Sequence, residues 1–146
     1  KGPPFSEQKA FSKMRCAQAV LFAWRKSTTQ DAELKTEYTK EADFAYRQAF
    51  ALGPTNTEVA FKYVNFLSIK SRFDDAKLIA RTLKATDPNS KFAQILLTGT
   101  LRDQERQLVA KRDYVKAGEV VLELVKIDKE NKDQHMKRIE SYRKLK

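Results

Sequence analysis

The chain has 146 residues, 41% of them hydrophobic, a formal net charge of +10, and only four glycines, four prolines and one cysteine. That length and apolar content suffice for a buried core, while so few Gly and Pro starve the turns a strand-rich fold needs, so an all-α fold is expected. The lone Cys16 excludes an internal disulfide and reads as a small buried apolar side chain.

In chain order, the opening KGPPF in place of Met, with no basic-then-apolar leader, suggests a piece of a longer protein. The longest apolar run, AVLFAW at 19–24, falls far short of the roughly 18 residues a membrane span requires, so the segment is expected to be soluble. Apolar spacing predicts helices over 6–26, 30–52, 57–70, 73–86, 90–110, 113–128 and 132–145. Ala60, Tyr63, Val64 and Leu67 follow the i, i+3, i+4, i+7 pattern, as do Phe73, Ala76 and Ala80 with Ile79 and Leu83. Capping boxes are read at Thr55 with Glu58, Ser71 with Asp74, and Asn131 with Gln134, each placing an acceptor over amides that lack partners. SRF at 71–73 leaves room only for a tight turn, so 57–70 and 73–86 are expected to pair antiparallel. In the last helix Met136, Ile139, Tyr142 and Leu145 share one side, and His135 reads as exposed.

The layout recurs along the chain. Ala42 and Ala76 stand 34 residues apart, as do Pro54 and Pro88, and Ala117 follows Ala76 by 41. A small residue at this place suits a close helix crossing. A 34-residue helix–turn–helix with F-D-D-A opening its second helix and D-P-N closing it resembles a tetratricopeptide repeat. Residues 57–90 carry the best match through Phe73, Asp74, Ala76 and Asp87-Pro88-Asn89, although Ser71 stands where the family has Gly and Val64 where it has a small residue. Residues 6–56 resemble a degenerate repeat. So do 91–131, with a seven-residue insertion and Lys129 in place of the proline, and 132–146 reads as a capping helix. The resemblance implies a single domain, a short right-handed solenoid of about three stacked pairs with seven helices. RCAQAVLFAWRKS, EADFAYRQAFALGP and HMKRIESYRKLK also resemble the soluble C-terminal tails of large multispanning bacterial membrane proteins similar in architecture to lipid-linked-sugar glycosyltransferases. That likeness implies a segment tethered at a bacterial inner membrane.

No catalytic constellation is legible. His135 is the only histidine, with no second His or Cys to share a metal, and no glycine-rich phosphate loop occurs. Asp74 and Asp75 sit in a first helical turn, where the helix dipole favours negative charge. No catalytic residue, cofactor or metal is therefore expected. Lys and Arg outnumber acids six to one over residues 1–30 and thirteen to nine over 100–146. Arg102, Arg106, Lys111 and Arg112 form a basic cluster around the insertion, which supports an alternative role in contacting nucleic acid or anionic lipid. Asp103, Glu105 and Asp113 interleave with it, and most of the 15 aromatics fall at core spacing. The favoured reading is a non-enzymatic scaffold that binds a peptide or protein segment in a concave groove. Glu58, Phe61, Asn65, Ser68 and Ile69 line it on the helix 57–70 face turned away from Tyr63, Val64 and Leu67. Family members that clamp a C-terminal carboxylate carry Lys and Asn four residues apart on that helix; Phe61 and Asn65 occupy those places, so the clamp is not expected.

Overall fold

The computed structural model describes residues 5–145. Among these there is no strand. The chain forms seven α-helices, α1 (Phe5–Thr28), α2 (Ala32–Leu52), α3 (Thr57–Ile69), α4 (Phe73–Thr86), α5 (Lys91–Ala110), α6 (Tyr114–Ile127) and α7 (Lys132–Lys144), with a 3-10 turn at Lys129–Asn131. The helices fall where the apolar period places them, and the chain divides into two compact units, the first ending at Tyr63 and the second beginning at Val64 within α3.

The caps differ from expectation. α3 is capped by Asn56, whose Oδ1 accepts from the amides of Glu58 (3.1 Å) and Val59 (3.3 Å), not by Thr55. Both residue types can cap, and the helix start at Thr57 puts Asn56 immediately before the first turn. Ser71 is no cap either: its φ is 59°, and its hydroxyl donates to Gln107 at 2.8 Å. Asn131 gives α7 no side-chain cap; its amide donates instead to the Asp128 carboxylate at 3.0 and 3.1 Å.

In the first unit α1 and α2 pack antiparallel through small side chains. Ser12, Cys16 and Ala19 face Ala42, Ala45, Tyr46 and Ala49, all buried. Ser12 donates to the Ala49 carbonyl at 2.7 Å near one end of the pair, and Phe22 meets Tyr38 at 6.3 Å between centroids near the other. The approach is close enough that a Cβ on Gly53 would stand 2.6 Å from Ser12 Oγ, which is why glycine follows α2 even though its φ of −143° suits any residue. Burial pushes the Cys16 thiol up, opposed by the nearby Lys62 charge, so the thiol stays protonated and unreactive near neutrality. Tyr46 stacks on Tyr63 at 5.5 Å and 11° between planes.

In the second unit α5 packs on α4 and α6, and α7 on α6. Leu83, Leu101, Val121 and Leu124 are fully buried. Lys77 is also buried, its stem covered, and its ammonium reaches Asp74 (3.3 Å) and Glu123 (3.4 Å). His135 is 0% exposed, which overturns its reading as a surface residue. Its Nε2 lies 2.9 Å from the Asp128 carboxylate. The inward positions of α7 are His135, Arg138, Ile139 and Tyr142, while Met136 and Leu145 are exposed. The expected stripe is therefore rotated by one residue over its first half.

Residues 64–87 and 105–128 are built alike, 41 apart. Each closes its first helix with two amide bonds onto the last turn, Ser71 to Ser68 and Arg72 to Leu67 in one, Arg112 to Val109 and Asp113 to Leu108 in the other, all at 2.9 Å. This is the Schellman arrangement, and it demands a left-handed residue after the helix. Ser71 (φ 59°) and Arg112 (φ 60°) supply it. The helices that follow, α4 and α6, are both 14 residues long and end on Asp87 and Asp128. Ala76 and Ala117 match at 0% exposure, as do Ala80 and Val121.

Candidate functional site

Four of the five predicted groove residues on α3, Glu58, Phe61, Asn65 and Ile69, are exposed, Ile69 most at 80%. Ser68 is not one of them. It is 8% exposed, because its place in the helical period falls with Val64 and Leu67 rather than with Asn65 and Ile69. Glu58 pairs with Lys62 at 2.8 Å one turn on, and that hydrogen bond holds its carboxyl below the usual carboxylate range.

The basic cluster is dispersed over two elements and partly neutralised. Arg106 pairs with Asp103 at 3.4 Å, and Arg102 lies 4.0 Å from Asp128. Lys111 and Arg112 are exposed in the turn between α5 and α6. Of the interleaved acids, Glu105 is buried and engaged from α7: Tyr142 donates to it at 2.7 Å and Arg138 at 3.2 Å. Burial, then that hydrogen bond, pushes the Tyr142 phenol up to about 12.

A concavity of the second unit runs along α5, with a volume of about 750 Å³. Its floor is one face of α5, where Ile95 and Gly99 stand one turn apart and Arg102 follows. Lys84 and Lys91 border it on one side, and Asp128, Lys129 and Glu130 on the other. Gln94 fixes the width by donating to the Ile127 carbonyl at 2.6 Å, tying α5 to the end of α6. Asp128 secures the far wall. It accepts from Asn131 and bonds His135. Burial alone would raise its carboxyl, but the Asn131 and His135 hydrogen bonds outweigh burial and hold it below the ordinary range.

Two features of this floor lack a reason in the fold itself. Ile95 is 69% exposed inside a concavity, and a Cβ on Gly99 would meet no atom within 4 Å. A helix-interior glycine costs about 0.5–1 kcal/mol relative to alanine, and here no close packing within the unit requires it. Neither residue was singled out by sequence reasoning; a glycine one turn after an aliphatic within an otherwise polar helical face is the signal that marks them.

No family model, curated protein or solved structure matches the chain. Among the described residues no group of His, Cys, Asp and Glu is arranged to hold a metal ion, and no helix is long and apolar enough to cross a membrane. The α5 groove offers an aliphatic contact, bare backbone at Gly99, amide and hydroxyl groups, and four cations against two carboxylates.

Proposed function

We propose that this chain is a non-catalytic interaction module, built from tetratricopeptide-like helix pairs, that holds a peptide or protein segment. The observation that carries this reading is the α5 groove, where exposed Ile95 and unencumbered Gly99 lie between a cationic wall, Lys84 and Lys91, and one of mixed charge, Asp128, Lys129 and Glu130. The groove offers apolar area for affinity, open backbone for close approach of a ligand main chain, and charge for orientation. The 41-residue recurrence supports the repeat-type scaffold. By the same offset, Phe61 and Asn65 of α3 correspond to Arg102 and Arg106 of α5, so two residues predicted for the groove and two predicted for the basic patch are counterparts on alternate helices. The nucleic-acid reading is weaker, because Arg102 and Arg106 each have an acid partner within 4.0 Å. Tethering to a bacterial membrane belongs to the same proposal and rests on the resemblance of residues 15–27, 41–54 and 135–146 alone.

The test is a peptide array probed with the folded domain and with Ile95→Glu and Gly99→Gln variants, circular dichroism confirming the fold of each. Spots bound by the parent and lost by both variants would establish the groove. Identical spots for all three would overturn it, and binding to a nucleic-acid duplex that fades steeply with salt would move the function to the cationic surface.

A further inference from the structure

α1 carries two interleaved faces. Ser12, Cys16 and Ala19 are buried against α2. On the other side Ala10, Met14, Ala17, Leu21 and Trp24 recur at spacings of four and three, and all five are exposed, Met14 at 50%, Leu21 at 44% and Trp24 at 60%. Exposed Phe11 and Val20 flank this row. A four–three spacing is the seam of helix-on-helix packing, and alternation of small Ala10 and Ala17 with large Met14, Leu21 and Trp24 makes holes and knobs for a second helix.

Charge selects the partner. Lys13 and Arg25 border the seam, with Lys9, Arg15 and Lys26 further round, against the single acid Glu7. A second copy of α1 would bring like charges together. An interfacial membrane helix gains little from a stripe whose alternate members are alanine, whereas a packed helix needs them. We infer that the exposed seam of α1 docks an amphipathic helix of another protein, apolar on the contact side and flanked by Asp and Glu that meet Lys13 and Arg25.

Trp24 is the chain's only tryptophan and lies in the seam, so its fluorescence reports occupancy directly. The probes are a synthetic helix of about three heptads with leucine at the seam and glutamate beside it, a twin with lysine for glutamate, and phosphatidylcholine vesicles containing phosphatidylglycerol. The glutamate peptide should shift Trp24 emission to the blue, saturably, and bind about ten-fold or more tighter than the lysine twin. Met14→Gln with Leu21→Gln should weaken binding by about ten-fold or more. Lys13→Gln with Arg25→Gln should weaken it by roughly three-fold and flatten its salt dependence. All four positions are solvent-facing; should either pair disturb the fold by circular dichroism, Ala17→Gln serves in its place. Equal binding of the two peptides, no response to either, a blue shift from vesicles alone, or a concentration-dependent dimer abolished by Met14→Gln with Leu21→Gln would each overturn the assignment.

Discussion

The two copies within the second unit, residues 64–87 and 105–128, reach one backbone path with different side chains. The left-handed residue is Ser71 in one and Arg112 in the other, although neither is the glycine that this conformation favours. The inner helix position is Val64 in one and Glu105 in the other, both buried. Asp87 accepts the Asn89 amide at 3.2 Å, while its counterpart Asp128 gathers Asn131 and His135. The first copy is thus apolar at the inner position, and its own polar link is Lys77, which reaches Asp74 and Glu123. The second has exchanged apolar contact there for polar links to α7.

If the second copy depends on those links, the largest effect should come from Glu105→Ala. It would leave the Arg138 guanidinium and the Tyr142 hydroxyl without their acceptor and cost about 3–4 kcal/mol, read from urea unfolding. A loss below about 1 kcal/mol would show that the polar link holds nothing. The apolar part of the comparison predicts equality instead. Leu83 and Leu124 are counterparts at 2% and 0% exposure, so Leu83→Ala and Leu124→Ala should each cost about 3 kcal/mol. A difference of more than about 1 kcal/mol between them would break the equivalence. The turns should respond in the opposite sense. Arg112→Gly removes an exposed side chain from left-handed backbone and should stabilise by about 1 kcal/mol, whereas Ser71→Gly gains the same relief but loses the hydrogen bond to Gln107, leaving it near zero.

The helices were legible because burial imposes a period of 3.6 and the sequence obeys it from Ala42 to Leu124. The turns were less so. A left-handed position is usually announced by glycine, and here Ser71 and Arg112 fill it while Gly53 answers a crowding by Ser12 that only coordinates reveal. His135 was hidden by its chemistry: its spacing of four from Ile139 and seven from Tyr142 is that of the inner face, but an imidazole amid charges reads as solvated. Of the candidate sites, Phe61 and Ile69 could be placed on an exposed face because their helix has one apolar side. α1 has two apolar faces at the same spacing, and periodicity does not say which of them meets α2. Ile95 and Gly99 were missed because one aliphatic and one glycine on the polar face of α5 create no periodic signal.

The smallest effect bears on the second copy and its α7 partner, and it is a response to pH. The Asp128 carboxyl, raised by burial but lowered further by Asn131 and His135, titrates below its ordinary 3.8 in the folded chain. The folded state therefore binds fewer protons than the unfolded one in that region. The stabilisation is complete above about pH 3.8 and drains away as pH falls through the folded value. Tyr142 acts at the other limit. With its phenol pushed from 10.0 to about 12 by burial and Glu105, its contribution is whole below pH 10 and is lost as pH rises toward 12. Urea midpoints measured against pH should fall at both ends. Asp128→Asn should flatten only the acid limb, and Tyr142→Phe only the alkaline one. An acid limb unchanged in Asp128→Asn would mean that the Asn131 and His135 hydrogen bonds do not favour the charged carboxylate, and the polar closure of the second copy would then rest on Glu105 alone.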